Sequence, residues 1–367
     1  MSASEACHIL VRFVRRFGWR QIPMAVLAGV FVLHGSLFAQ VSPVAEPGSE
    51  IQTAFDHIVA NDYEAARLVA MPLAESGNAD AQHILGFVYE RGLGGVTKSL
   101  KTALDYYFKA GMQGHADAQF ALGELAFTGA GVVQDDARAA GWYTLAAARS
   151  HPRAQTRLGF LYANGSGVEK DPVRARDLFE AAAHSGDPDA QYNVATLLLL
   201  GEEGSANYLK AAIWFEKAAE QGHAEAQYNL ALLYDSPYLG EPDQANTVKW
   251  MSAAAEAGMP AAMAAMGILV VGKAAESDLS ASEWFEAAAK AGDPQGQFLF
   301  AVALAEGDGR PRDPEAALAW LDRASQYGDA LDQELAENIK HLRKELGGED
   351  PAPSEAPASA DLAQIRE

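Results

Sequence analysis

The stretch Gly114–Gln119 reads GHADAQ, and it returns almost unchanged as GHAEAQ at Gly222–Gln227. Successive copies of this register position lie 34 to 37 residues apart. A unit of this length cannot bury its apolar face alone, so the period predicts a stack of supersecondary units that share a continuous core. The register position is held by Gln82, Gln119, Gln155, Gln191, Gln227, Met263 and Gln297.

Each unit carries start and stop signals for two helices, named here helix A and helix B. Helix A is predicted to follow an N-cap and to end at a glycine in the left-handed conformation. The predicted N-caps of helix A are Asn78, His115, His151, Asp187, His223, Met259 and Asp293. The predicted terminal glycines are Gly92, Gly129, Gly165, Gly201 and Gly307.

Helix B shows the same logic, because a residue that can accept a backbone hydrogen bond precedes each copy. Its predicted N-caps are Ser99, Asp135, Asp171, Asn207, Asp243, Ser277 and Asp313. A glycine is predicted to close the helix in six units, with Ser150 as the exception. Five of the six tryptophans share one register position of helix B, which favours packing over an aromatic ligand cage.

One unit, Ala154–Val168, reads AQTRLGFLYANGSGV. This stretch, with the Asp and Trp-x-x-x-Ala-Ala-x-x-Gly signals of helix B, resembles the Sel1-like repeat, a bacterial relative of the tetratricopeptide repeat. The resemblance covers roughly residues 50–330. It implies an all-α fold, a right-handed α/α superhelical solenoid of about seven helix pairs. An opening half-repeat and an amphipathic C-terminal cap helix are predicted to complete it.

The N-terminal residues differ from the repeats. Four arginines, the last of them Arg20, precede an apolar run from Met24 to Leu33. This pattern predicts a signal peptide or an uncleaved membrane anchor at residues 1–39, with the remainder exported to the periplasm. A linker is predicted at 40–49, the solenoid with its cap helix at 50–346, and a disordered acidic, proline-rich tail at 347–367.

The formal charge of the chain is −21 at pH 7. Nucleic acid is therefore excluded as a partner, because phosphate binding needs a basic surface. Basic proteins are favoured electrostatically, although acidity also serves simply to keep an exported protein soluble. The single cysteine, Cys7, lies in the predicted leader, so disulfides and thiol chemistry are not expected in the repeats.

No pattern of catalytic chemistry stands out. Paired cysteines and a His-Glu-x-x-His motif are absent from the sequence, and the recurring histidines are interpreted as helix caps, so neither a metal nor a cofactor is predicted. The Gly-x-Gly pair Gly165–Gly167, for example, lies between two helices and not after a strand, and no Lys-Ser or Lys-Thr follows it as in a phosphate-binding loop. The sequence therefore predicts a protein that is not an enzyme.

By resemblance to tetratricopeptide arrays, helices A line the concave face, where a protein or peptide segment would bind. Asparagines flanked by tyrosines on two neighbouring repeats suggest backbone recognition of an extended peptide, while ordinary packing is the alternative. The candidate partner-binding residues are Phe120, Glu124, Arg157, Phe160, Asn164, Tyr192, Asn193, Thr196, Tyr228 and Asn229.

Three functions follow from the sequence and the resemblance. The first is a non-enzymatic periplasmic scaffold or adaptor that binds a protein segment on the helix-A face. The second is a periplasmic regulator of a membrane signalling or envelope-maintenance system. The third, an enzyme acting on cell-wall material or β-lactams, is disfavoured because the exported part has none of the cysteines that link helices in that branch of Sel1-like proteins.

Overall fold

The computed structural model describes residues 49–200, 207–328, 331 and 333–348. Within these ranges the chain forms seventeen α-helices and no strand, and consecutive helices pack against each other as pairs. The all-α solenoid predicted from the sequence is confirmed. The described residues fall into two compact units, 49–221 and 222–348, which are called the first and the second unit below.

The first unit contains ten helices, in which odd numbers are helices A and even numbers are helices B. Each helix A packs against its own helix B, and from α3 onward each helix A also contacts the preceding helix B. They are α1 Glu50–Val59, α2 Tyr63–Glu75, α3 Ala79–Arg91, α4 Leu100–Met112, α5 Ala116–Thr128, α6 Asp136–Ala147, α7 Pro152–Asn164, α8 Pro172–His184, α9 Pro188–Leu200 and α10 Tyr208–Glu220.

The second unit contains three further pairs and a terminal helix. A short 3₁₀ turn, Pro237–Leu239, separates the helices of its first pair. The helices are α11 Ala224–Asp235, α12 Gln244–Glu256, α13 Pro260–Val271, α14 Ala281–Lys290, α15 Pro294–Glu306, α16 Pro314–Ser325 and α17 Gln333–Glu345. The predicted cap helix is α17, and it buries Ile339 and Leu342 in the core of this unit.

Side-chain caps explain where nearly all of these helices begin. Asp135 accepts the amide hydrogen of Arg138 at 2.9 Å, and His115 accepts that of Ala118 through Nδ1 at 3.2 Å. Helices α3, α5, α7 and α15 end at glycines with left-handed backbone angles, as predicted. The fifth predicted terminal glycine, Gly201, lies outside the described residues.

One predicted cap is wrong. Helix α14 begins after Ser280 and not after Ser277. Ser280 accepts the amide hydrogen of Glu283, whose carboxylate accepts the amide hydrogen of Ser280 in return at 2.8 Å. This reciprocal capping box satisfies two backbone donors where Ser277 would satisfy one. Ser277 instead accepts the indole hydrogen of Trp284 at 2.9 Å.

Glycines on helix A allow helix B to approach closely in the first unit. A methyl group at Gly86 would lie 2.5 Å from the ring of Tyr107, and one at Gly159 would lie 2.9 Å from the ring of Phe179. Both rings are fully buried. They occupy the position one residue after the bulky register identified from the sequence, where Trp142 is only half-buried. The most deeply buried position of helix B therefore lies one residue after the predicted one.

Ser150 is expected to lower the stability of the first unit through its backbone conformation, and glycine would remove this cost. Its φ is +58°, whereas Gly114 and Gly186 hold the equivalent position with φ of +90° and +96°. Ser150→Gly should stabilise the first unit by about 0.5–1 kcal/mol, because glycine adopts positive φ without a steric cost. Urea denaturation measures the gain. Ser185→Gly is the matched control, since Ser185 lies at φ −81°, and equal gains from both variants would contradict the explanation.

Asp293 is expected to make the second unit less stable as the pH rises. This half-buried residue caps α15, and burial raises its pKa to about 6 from an ordinary value of 3.8. A raised folded-state pKa gives stability that is complete below the ordinary value and is lost as the pH rises through 6. Relative to Asp293→Asn, the wild type should lose on the order of 1–2 kcal/mol between about pH 4 and pH 8. The free energy of unfolding of both proteins is measured by urea denaturation across this pH range, and an equal change with pH in the two proteins would disprove the prediction.

Within the described part of the chain, no helix combines the length and the apolar character needed to cross a bilayer. The predicted leader at 1–39 lies outside the described residues, as do nearly all of the linker at 40–49 and the tail at 347–367. These three assignments remain predictions.

Candidate functional site

Two histidines connect successive helices A in the first unit. His115 Nδ1 accepts the amide hydrogen of Ala118, so its hydrogen is on Nε2, which lies 3.1 Å from Asp80 Oδ1 on the preceding helix A. His151 repeats the arrangement with Asp117, also at 3.1 Å. The hydrogen bond from His115 lowers the pKa of Asp80. The capping role predicted for these histidines is confirmed.

A buried ion pair connects the middle of the next two helices A. Arg157 donates from Nε and Nη2 to the two carboxylate oxygens of Glu124 at 2.8 and 3.0 Å, and the Tyr143 hydroxyl donates to the same carboxylate. Burial alone would lower the pKa of Arg157, but the Glu124 carboxylate raises it above its ordinary value. Both charged side chains are about 8% exposed, so this pair is closed to a partner.

The candidate partner-binding residues lie mostly inside the protein. Asn164 is exposed and Phe160 is half-buried. The other eight are buried: Phe120, Glu124, Arg157, Tyr192, Asn193, Thr196, Tyr228 and Asn229. The structure brings Glu124 and Arg157 into direct contact. Partner binding by this set remains a prediction, and its accessible members are Phe160 and Asn164.

The remaining candidates are held by separate packing contacts. Phe120 stacks on His151 with ring centroids 4.8 Å apart, and the Tyr192 ring lies 5.6 Å from that of Phe215. Tyr192 and Asn193 belong to the first unit, whereas Tyr228 and Asn229 belong to the second. Helix A is enclosed by its own helix B and by the preceding pair, which explains the burial of its inward residues.

An apolar cleft opens on the helix-B side of the first unit. Its volume is about 440 Å³, and α4, α5 and α6 contribute its walls. Phe108 and Trp142 meet edge to face across it, with ring centroids 6.1 Å apart. The lining residues are Leu104, Phe108, Leu122, Ala126, Val132, Arg138 and Trp142.

Helices B of the same unit expose further large apolar side chains. Phe108 is 51% exposed at the cleft, and Met112 is 66% exposed one turn further along α4. The other large apolar residues exposed on these helices are Leu68, Leu145, Val173, Leu209 and Ile213. This surface was not predicted from the sequence, because the bulky helix-B positions are typical of packing. The signal in the sequence was Phe108, an apolar residue two positions after Tyr106 and on the outward face of helix B.

A model of the Sel1 repeat matches the chain at residues 79–115, 116–151, 152–187, 188–223, 224–259, 260–293 and 294–329. The chain belongs to the Sel1 repeat family. The resemblance inferred from the motifs is therefore confirmed. Sel1 repeats commonly form scaffolds for protein–protein interaction, and the family is typically non-catalytic.

Two solved structures share the Sel1 repeat architecture. One is c5321, a protective antigen of uropathogenic Escherichia coli that displays an SLR fold. It is 27% identical, with a TM-score of 0.66, over 95% of this chain and 74% of its own. The other is a Sel1 repeat protein from Oxalobacter formigenes, which is 28% identical, with a TM-score of 0.58, over 65% of this chain and 96% of its own.

A curated relative shares a shorter segment. Chitin synthase regulatory factor 1 of Schizosaccharomyces pombe is 42% identical over 66 residues. The match covers 18% of this chain and 14% of that protein. The chain therefore spans about one seventh of this relative, and the similarity is one between short runs of repeats.

Proposed function

We propose that this Sel1 repeat protein is a non-enzymatic periplasmic scaffold that binds a segment of another protein. The observation that carries the proposal is the apolar cleft lined by α4, α5 and α6, because helices B of the same unit also expose several large apolar side chains. Surfaces of this kind are typical of protein interaction sites.

The cleft fits one side chain of a partner better than it fits a large ligand. A typical small-molecule pocket encloses most of its ligand, whereas this cleft is open to solvent beside the exposed Phe108 ring. Burying an aromatic or leucine side chain against Phe108 and Trp142 would supply about 1.5–3 kcal/mol. The partner segment that we propose has an apolar anchor flanked by lysine or arginine, because the chain carries a net charge of −21.

On the helix-A face, only the accessible residues Phe160 and Asn164 are part of the proposed binding surface. Phe160 and Asn164 lie at the C-terminal end of α7, and the Asn164 amide donates to the Phe160 carbonyl oxygen at 3.1 Å. The two residues give a second contact area, with one aromatic and one polar side chain. The buried candidates act through the packing that holds these surfaces in place.

Site-specific photocrosslinking in cells tests the binding surface. A photoreactive phenylalanine analogue at Phe108 should capture a discrete protein, with the crosslink mapped to an apolar residue flanked by basic ones. The same analogue at Asn164 tests the helix-A face, and a third at Lys101, which is exposed on the first turn of α4, is the control. Equal capture from Phe108 and Lys101 would refute the cleft as the docking surface.

Export is tested separately. A fusion of the complete chain to alkaline phosphatase should be active, because that reporter folds only after export to an oxidising compartment. Replacing the four leader arginines with glutamate should reduce the activity. An inactive fusion, or a fusion whose activity is unchanged by removal of residues 1–39, would contradict export through the predicted leader.

A regulatory role is the second candidate, favoured by the repeats shared with a protein named as a regulatory factor. In this case the captured partner would be a membrane enzyme or a sensor domain. Deletion of the gene should then change the activity or transcription that the captured partner controls, and Phe108→Glu should reproduce the change. A deletion without such an effect would rule out the regulatory role and would not affect the scaffold proposal.

A further inference from the structure

Three potential metal ligands meet where the first two repeats join. His83 lies on α3, and His115 and Asp117 lie at the start of α5. Each offers a ring nitrogen or a carboxylate oxygen, and these three atoms all lie within 4.8 Å of one another. His83 is buried, whereas His115 and Asp117 are partly accessible, so the cluster can be reached from the side of α5.

His83 is costly to the fold as a purely structural residue. Its side chain is fully buried, and neither ring nitrogen has a hydrogen-bond partner. Its ring stacks on that of His115 with centroids 4.6 Å apart. Burial lowers the pKa of His83 to about 3, so the ring is neutral at physiological pH and one nitrogen keeps a lone pair. A buried unpaired polar group of this kind calls for an explanation.

The next repeat junction has the same backbone arrangement with different side chains at two of these three positions. The residues equivalent to His83 and Asp117 there are Phe120 and Arg153, and His151 takes the place of His115. Phe120 stacks on His151, and the Arg153 guanidinium lies 4.7 Å from the centre of the Phe120 ring. The same backbone arrangement is therefore satisfied by an apolar stack, and packing does not require a histidine at position 83.

We propose that His83, His115 and Asp117 bind one divalent transition metal ion of the zinc class. Two imidazoles and a carboxylate are a set that suits zinc, with water as the fourth ligand. Tetrahedral zinc ligands lie roughly 3.3 Å apart, given bonds of about 2.0–2.1 Å, so small side-chain rotations bring the three atoms from their present separation into place. The ion would bridge α3 and α5 and thereby fix the first repeat junction.

Outer contacts already orient two of the ligands. Asp80 accepts from His115 Nε2, and this carboxylate–histidine contact is the usual second layer around a metal-binding imidazole. His115 then binds the ion through Nδ1 in exchange for the amide hydrogen of Ala118. Burial would raise the pKa of Asp117, but the hydrogen bond from His151 holds it below its ordinary value.

Zinc titration of the complete chain, without an affinity tag and after treatment with a chelator, tests the proposal. We expect one zinc ion per chain, an increase of the melting temperature with zinc, and the visible absorption of tetrahedral cobalt when Co²⁺ is used instead. His83→Phe should abolish binding, and its fold should be retained because Phe120 occupies the equivalent position. Asp80→Asn should weaken binding by roughly 10–100-fold.

His341→Asn is the matched control, because it removes an exposed histidine paired with a carboxylate on α17. Zinc binding that survives His83→Phe would overturn the proposal, and so would the absence of binding to the wild type. Loss of the same ion in His341→Asn would overturn it as well. These outcomes are independent of partner binding at the helix-B cleft, since none of the substituted residues lines it.

Discussion

Glu124→Gln is expected to destabilise the first unit by about 3–5 kcal/mol, the usual cost of leaving a buried charge without its partner. Arg157 would keep its charge but lose the carboxylate that binds it through two hydrogen bonds. Tyr143 would lose a charged acceptor at the same time. Glutamine preserves the volume of the side chain, so the effect measured by urea denaturation reports the loss of charge.

The preceding repeat junction supplies the control for this experiment. It holds Phe87 and Ala121 at the positions equivalent to Glu124 and Arg157, and the third repeat holds Phe179 where the second holds Tyr143. The triple variant Glu124→Phe/Tyr143→Phe/Arg157→Ala should therefore recover most of the lost stability, because an apolar set can replace a buried ion pair at little cost. A triple variant as unstable as Glu124→Gln would show that the pair itself is essential to the junction.

Gly167→Ala is expected to cost roughly 2–4 kcal/mol, combining a positive φ with a steric clash. Gly167 has φ +68°, and a methyl group there would collide with the backbone of Asp136 and Ala137 at the start of α6. Backbone atoms cannot move aside as the end of a flexible side chain can. Gly131 lies close to the side chain of Leu100 at the start of α4, where a methyl group would come within 2.8 Å of Leu100 Cβ, so the second glycines of these two Gly-x-Gly pairs lie against the preceding helix B.

Gly186→Ala separates the two contributions. Gly186 has φ +96°, but a methyl group there would meet no atom within 4 Å. This variant should cost about 1–2 kcal/mol, the conformational part alone. Equal losses for Gly167→Ala and Gly186→Ala in the same urea series would mean that the close approach to α6 contributes nothing.

The local elements of the fold could be predicted because each depends on a few neighbouring residues. A cap such as Asp135 and a terminal glycine such as Gly165 act within one helical turn. The prediction failed at Ser277, where two serines competed for one cap. The reciprocal bonds of Ser280 with Glu283 decided between them, and these bonds depend on a side chain three residues away.

The candidate site was harder to predict because the position of a residue in the repeat shows which way its side chain points, but not whether a partner can reach that side chain. Asn193 and Asn164 were assigned to the same helix-A face, yet Asn193 is fully buried and Asn164 is exposed. Asn164 is the last residue of α7, whereas Asn193 lies inside α9, where the neighbouring helices enclose it. Similarly, the sequence does not distinguish Phe108 and Trp142 from other helix-B residues, and only the arrangement of α4, α5 and α6 places them beside a cleft.

By itself, the sequence determined the period, the two-helix unit and the family, because these features are repeated seven times and each copy is encoded locally. It also fixed the capping role of the recurring histidines. Only the tertiary structure decided which repeated positions are buried, which meet in a cleft, and where His83, His115 and Asp117 come together. Such properties depend on contacts between residues that lie one repeat apart, and a single register position cannot specify them.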